Sequence, residues 1–276
     1  MCLSMAQILG DENMQYVAIV GGLVPSIIFG DSAPHASLGA HIGTLDLDLG
    51  LDVAVLDEER YEDIAERLRD NGFAPDTKEE TGALVRHRWC SDDGQKIDFV
   101  IAPSPPEAET GTLQNLTHDL AAIKMLGMDL ALKYRLEVPL SGPDLRGRNV
   151  TRTISVCSAE IFVVLKALAM ANRDKAKDAY DLYFVLLNKP GGPESVGSWL
   201  SRVTHAAVDK AIESLRRDFG TIDDRGPKDV CRFLDESLDE DRAANVLAQI
   251  TALLEAFDSE RRASKGASRA SSRGSR

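Results

Sequence analysis

Apolar and polar positions alternate with a period of two from Thr44 to Leu56. Leu45, Leu47, Leu49, Leu51, Val53 and Val55 fall on one side, with Asp46, Asp48 and Asp52 on the other. That period predicts a half-buried strand. Asp57 then reads as an N-cap, and Tyr61, Ile64, Ala65 and Leu68 recur at helical spacing, predicting a helix over 58–71 that stops at Gly72. Two further strands are predicted at 84–89 and 96–102, joined by a turn containing Asp92-Asp93-Gly94. Pro103, Pro105 and Pro106 follow, and since proline cannot donate a ladder hydrogen bond the sheet is expected to end there. Upstream, the short apolar run 16–20 leads into Gly21-Gly22-Leu23-Val24-Pro25, read as a turn and then a short helix through Phe29.

Beyond the prolines, 116–128 is expected to be helical, 134–139 extended and 149–156 a strand. Helices are then expected at 159–172, 175–187, 194–206, 208–219 and 240–257. No internal repeat is visible. The pattern predicts an α+β chain: a mixed β-sheet flanked by helices over 1–107, then a mainly helical domain over 108–258. A Ser-, Gly- and Ala-rich tail over 259–276, with six basic residues against Glu260 alone, is expected to be disordered.

Composition narrows the class. With 276 residues, 43% hydrophobic and 28% charged, the chain is globular and large enough to bury a core without disulfides. No apolar run nears the roughly 18 residues that cross a bilayer, and the N-terminus lacks a secretory pattern. A cytoplasmic location with no membrane partner is expected. The cysteines at 2, 90, 157 and 231 form no CxxC pair, and the histidines at 35, 41, 87, 118 and 205 show no HExxH or zinc-finger spacing. Residues 1–110 hold 21 acidic and 7 basic side chains, so a nucleic-acid contact there needs a local basic surface or a bound metal.

Asp46 and Asp48 are the strongest chemical feature. On a strand they project to one side about 6.6 Å apart along the backbone. Asp98, between the core-facing Ile97 and Phe99, supplies a third carboxylate if its strand lies beside the first. Such a set suits Mg²⁺, which takes oxygen ligands and phosphate oxygens; Mn²⁺ is the alternative ion. Acids at alternate positions also simply wet an exposed sheet face, so the signal rests on Asp98 and on Gly21-Gly22. Those glycines permit close phosphate approach at a helix start. Neither GxGxxG nor GxxxxGK[ST] occurs.

The segments VGGLVPS at 20–26, HIGTLDLDL at 41–49 and KIDFVIA at 96–102 together resemble the nucleotidyltransferase superfamily that includes DNA polymerase beta. FVVLKALA at 162–169 and KAKDAYDLYFVL at 175–186 narrow the resemblance to the AbiEii-type toxin nucleotidyltransferases of abortive-infection toxin–antitoxin systems. The resemblance spans about 16–187. The resemblance implies Mg²⁺-dependent transfer of an NMP from a nucleoside triphosphate to a hydroxyl acceptor, tRNA among the possibilities, and a cognate antitoxin partner. It implies metal binding by Asp46, Asp48 and Asp98, and catalytic roles for these with Lys166 and Asp181. It implies nucleotide contacts at Gly21, Gly22, Thr44, Lys166 and Asp178. Two departures stand out: Leu23-Val24-Pro25 follows the glycine pair, and Ile42 stands where many relatives carry Arg.

Other readings stay open. Lys166 either faces an active site or snorkels to the surface. Asp178 and Asp181 either orient that lysine or pair at the surface with Lys175 and Lys177. Arg86 and Arg88 either contact phosphate or neutralise neighbouring acids. His41 either organises its loop or makes structural hydrogen bonds. At the level of function, a catalytically weak nucleotide-binding regulatory protein and a small-molecule, aminoglycoside-like nucleotidyltransferase are the alternatives.

Overall fold

A computed structural model describes residues 1–30, 38–52, 54–104, 109–144, 147–234 and 239–273, with side chains described to residue 264. Val53, Pro105, Pro106 and His35, each used in reading the sequence, lie outside the described residues. Two compact units emerge: Met1–Gly30 with Ile42–Phe162, and Asp31–His41 with Val163–Arg276. The α+β class is therefore right, but this division falls at 162/163 and not at the expected boundary of 107.

The first unit opens with α1 (Cys2–Leu9), α2 (Asp11–Met14) and β1 (Val17–Val20). A 3₁₀ turn at Gly21–Leu23 leads into α3 (Val24–Phe29). β2 (Asp46–Leu51), α4 (Glu58–Asp70), β3 (Phe73–Thr77), β4 (Leu84–Ser91) and β5 (Lys96–Ile101) follow. The unit continues with β6 (Leu113–Asn115), β7 (Ala121–Lys124), α5 (Met128–Lys133), β8 (Arg135–Pro143) and β9 (Asn149–Cys157). The nine strands found among the described residues form one mixed sheet in the order β3-β4-β5-β2-β1-β9-β8, with β7 pairing both β5 and β6.

The sheet thus does not end at the prolines. β7 lies parallel to β5, and β9 parallel to β1. The helix expected over 116–128 is absent: Gly127, at φ +89°, breaks the segment into β7 and then α5. β3 was hidden because it contains Pro75. Proline is tolerated on an edge strand, and β3 is the sheet's edge, with its register slipping between Pro75 and Asp76.

The core-facing positions of the alternating strands are buried, as a period of two requires. Leu47, Leu49 and Leu51 on β2 and Ile97, Phe99 and Ile101 on β5 are all essentially solvent-free. β2 is nonetheless shorter than the alternation, and Leu45 and Val55 are exposed, not in the core. The other face of the same strands changes character along its length. It is polar at Asp46 and Asp48, then closed at Gly50, where an added Cβ would overlap the methyl end of Met128 on α5. Asp57 caps α4, its side chain accepting from the Arg60 N–H at 3.0 Å. Tyr61, Ile64, Ala65 and Leu68 are the face that α4 buries.

The second unit is helical. α6 (Ala159–Asn172) begins at the end of the first unit and enters it. α7 (Ala176–Asn188), α8 (Gly192–Leu200), α9 (Ala206–Asp218), α10 (Arg225–Phe233) and α11 (Glu240–Arg273) complete it. α8 stops at Leu200, short of the expected 206, and α11 is longer than the expected 240–257. α10 was missed because Gly226 and Pro227 sit in its first turn, where proline costs no hydrogen bond. α7 is buried almost all round, marking it as the central helix of this unit. α8 and α11 approach so closely that a Cβ on Gly197 would overlap the Leu253 carbonyl. The four cysteines are free. Among the described residues no helix is long and apolar enough to cross a membrane.

Candidate active site

Two clusters hold the residues singled out from the sequence, one in each unit. In the α+β unit, β2 and β5 run parallel with Asp48 the register partner of Asp98 and Asp46 that of Lys96. Adjacent strands lie about 4.8 Å apart, so Asp48 and Asp98 stand side by side on one face, with Asp46 two residues along. The leucines of β2 and Ile97, Phe99 and Ile101 of β5 on the reverse face fix this register, because a slip of one residue would drive the acids into the core.

The glycine pair belongs to the same face. Val20 on β1 pairs with Asp48, and Gly21 follows at φ +73°. Its Cα lies so near the Asp48 carboxylate that any Cβ would overlap it. Gly21 is therefore required twice, by its backbone conformation and by the acid beside it. Gly22 is buried in the same 3₁₀ turn. The Thr44 hydroxyl accepts from the Asp46 N–H at 3.2 Å, ordering the entry to β2.

Asp98 already has a cation. Arg88, its register partner on β4, donates from Nε to Oδ1 at 2.7 Å and from Nη2 to Oδ2 at 2.6 Å. This fork-on-carboxylate geometry is the strong form of an ion pair. The hydrogen bonds to Asp98 raise the Arg88 pKa, with burial opposing. Of the two roles open to the basic interval, neutralising a neighbouring acid is the one Arg88 performs. Arg86 instead donates to the His118 carbonyl at 3.0 Å.

The donor chemistry on this face suits a hard cation, since every candidate ligand is a carboxylate oxygen. Yet among the described residues no three His, Cys, Asp or Glu side chains converge as metal ligands. Asp46 and Asp48 share the face, while Asp98 is engaged by Arg88.

The second cluster lies wholly within the helical unit. Lys166 on α6 places its Nζ 2.8 Å from Asp178 Oδ1 and 2.7 Å from Asp181 Oδ2, both acids being on α7. Arg173 donates to both oxygens of Asp178, from Nε at 2.7 Å and from Nη2 at 2.9 Å. Asp181 Oδ1 accepts from Lys177 Nζ at 2.5 Å and lies 2.9 Å from His41 Nε2. A carboxylate can only accept, so His41 carries its proton on Nε2. The imidazole is stacked on Tyr180 at 5.5 Å and meets Phe184 edge-on at 4.8 Å.

Depth sets the electrostatics. Both aspartates are fully buried, and the Lys166 side chain is 8% exposed. Burial opposes the Lys166 ammonium, but Asp181 and Asp178 outweigh it and hold the lysine's pKa above its usual value. For Lys177 and His41 burial wins, and both are lowered. Burial pushes the Asp181 carboxyl up, but the His41 hydrogen bond and the two lysines bring it down to about 2. Asp178 is likewise lowered by Arg173 and Lys166 against burial.

Lys166 thus has the compensating partners that an ammonium on an apolar helix requires. The Lys177–Asp181 pair is not the surface pair that its i,i+4 spacing suggests: the two side chains are 11% and 0% exposed. Arg173 falls after the last helical residue of α6, where no periodicity points to it. The His41–Asp181 bond, 140 residues apart in sequence, has no local signal at all.

The depressed Asp181 pKa has a sign. Stability from a carboxyl whose folded pKa is below its unfolded value is fully present above about pH 4 and is lost as pH falls towards 2. Urea midpoints measured from pH 5 to pH 2.5 are expected to fall more steeply for the wild type than for Asp181→Asn, the difference reaching roughly 2 kcal/mol. Parallel curves would mean that Asp181 titrates normally.

Residues 43–264 match the protein family described as nucleotidyl transferase AbiEii toxin, Type IV TA system. The match begins after Gly21-Gly22 and runs through the helices beyond 187, which carry none of the quoted motifs. A comparison with curated proteins finds no match. A span of this extent, covering the Asp46/Asp48 strand, Asp98 and the Lys166, Asp178 and Asp181 side chains, settles the relationship: the chain belongs to the AbiEii nucleotidyltransferase toxin family.

Proposed function

We propose that the protein transfers a nucleoside monophosphate from a nucleoside triphosphate to a hydroxyl acceptor, with RNA, tRNA foremost, as the acceptor class and Mg²⁺ as the cation. The acceptor oxygen attacks the α-phosphorus, and the bond from that phosphorus to the bridging oxygen breaks. Pyrophosphate leaves with that oxygen, and the hydroxyl proton passes to a carboxylate or water. The observation that carries the reading is the register of β2 against β5, which sets Asp48 beside Asp98, together with Gly21 pressed against Asp48.

Asp46 and Asp48 would hold the cation, which when bound offsets the charge of the triphosphate. Gly21 gives the phosphates access that a side chain would deny. The core-facing leucines of β2 keep both acids in place without rearrangement during the reaction. The family's toxin–antitoxin description supports a cognate antitoxin as a further partner.

Nucleotide binding without efficient transfer is the second reading. The Arg88–Asp98 pair favours it, as does Ile42, half exposed where many relatives carry Arg. One experiment separates the two: incubation with each α-labelled NTP, Mg²⁺ and separated RNA, protein and metabolite fractions of a cell extract. The wild type is expected to label the RNA fraction and release pyrophosphate, and Asp46→Ala/Asp48→Ala to do neither. Binding without release selects the second reading, and label in the metabolite fraction selects a small-molecule acceptor.

A further inference from the structure

β9 runs on past the strand beside it. β1 pairs with it at Ile19–Val156 alone and begins only at Val17, so the first half of β9 has β8 on one side and, among the described residues, no strand on the other. The chain ahead of β1 is turned aside as α2. A cavity of about 540 Å³ is left between α2 and β9, lined by Asp11, Met14, Gln15, Thr151, Arg152 and Thr153 among others.

The ladder shows what faces this cavity. Along an antiparallel pair, alternate residues turn their N–H and C=O to one neighbour and the intervening residues to the other. The Asp144 N–H donates to the Arg148 carbonyl at 2.8 Å, closing the hairpin. Continued in register, Leu140 and Val138 exchange bonds with Arg152 and Ile154. Thr151 and Thr153 therefore turn their main-chain groups away from β8, and no main chain among the described residues bonds to them. By the same alternation Pro139 and Pro143 face the outer edge of β8, where they have no N–H to offer an incoming strand. The inner edge of β9 carries no such guard.

We infer that this gap docks a short, extended, basic peptide segment of another protein, added to β9 as a strand. Main-chain bonds to Thr151 and Thr153 hold it, as in other strand additions. At about 3.3 Å per residue, some four residues fit before β1 closes the gap. Charge selects the sign of the segment. Asp11 and Glu137 are the open charges of the cavity, their side chains 95% and 58% exposed. Residues 1–110 add 21 acidic against 7 basic side chains. Arg152 meets Asp11 at 3.3 Å, a surface contact that a lysine or arginine of the incoming strand displaces readily. The gap lies at the start of β1 and Gly21 follows its end, so the inference stands apart from the transferase reading.

The test uses the full chain and a fluorescein-labelled hexapeptide of alternating valine and lysine, read by anisotropy and by amide hydrogen exchange. In the free protein the Thr151 and Thr153 amides are expected to exchange freely while Arg152 and Ile154 are protected. The peptide is expected to bind and to slow Thr151 and Thr153 by about tenfold or more. Thr153→Pro removes a donor that no ladder bond uses. It is expected to weaken binding by about tenfold or more, with the thermal midpoint within about 4 °C of wild type. Glutamate in place of the lysines is expected to weaken binding by at least about tenfold. Of two peptides N-methylated at alternate amides, one is expected to lose binding and the other to keep it, which decides the matter if Thr153→Pro does not fold.

Protected Thr151 and Thr153 amides in the free protein would show the edge already paired and overturn the inference. So would no peptide binding, equal binding by both methylated peptides, or equal binding of the glutamate peptide. Self-association of the chain that Thr153→Pro abolishes, without peptide binding, would make the occupant a second copy and overturn it likewise.

Discussion

Lys166→Met is expected to destabilise the protein by about 3 kcal/mol, read as a fall in the urea denaturation midpoint at pH 7. The ammonium sits between two fully buried carboxylates at 2.7 and 2.8 Å, so its removal strips a cation from each of them. Removing one member of a buried pair typically costs about 3–5 kcal/mol, because a desolvated charge is left behind. The value falls at the lower end because Arg173 remains on Asp178, and Lys177 and His41 remain on Asp181. With total stabilities of about 5–15 kcal/mol, a loss of this size is readily measured. The sign separates two roles. A lysine kept only to meet a phosphate would, when replaced by an apolar side chain of similar length, leave stability unchanged or raised. A cost below about 1 kcal/mol would therefore show that the cluster does not depend on Lys166 for its cohesion.

Gly21→Ala is expected to lower label transfer by about 100-fold while costing about 1–2 kcal/mol of stability. Two effects act together. At φ +73° an alanine is strained, and its Cβ would overlap the Asp48 carboxylate, forcing that acid to turn. Moving a catalytic group by about 1 Å is enough to reduce a rate by about two orders of magnitude. Transfer rate and thermal midpoint measured on one preparation check both halves of the prediction. Undiminished transfer in Gly21→Ala would mean that the position of Asp48 does not matter to the reaction.

The polar face of the sheet was legible because its signal is local. Alternation from Leu47 to Leu51 specifies which side of β2 is buried, and therefore where Asp46 and Asp48 must point. That Asp98 should stand beside them needed only a later strand's pattern and one assumption about pairing, which the parallel register of β2 and β5 bears out. What sequence could not supply was the competitor for Asp98. Arg88 and Asp98 are separated by a hairpin whose register depends on the turn, and the sequence alone places Arg86 as well as Arg88 for the role.

The helical cluster was half visible. An ammonium in the apolar stretch of α6 and two acids three residues apart on α7 announced a need for partners without saying which. Arg173 and His41 enter through loop geometry, which no periodicity encodes. The extent of the sheet was misjudged for a related reason. Short strands such as β6 and β7 form because neighbours are available to pair with them, and β7 is long enough only to bridge β5 and β6.

His41 makes the helical unit discontinuous in sequence. This residue is encoded well upstream of Val163, with the whole of β2 to β9 in between. A cloning boundary drawn at Val163 would therefore yield a fragment in which Asp181 keeps both lysines but forfeits its imidazole donor, and in which the rings of Tyr180 and Phe184 lose the neighbour they enclose.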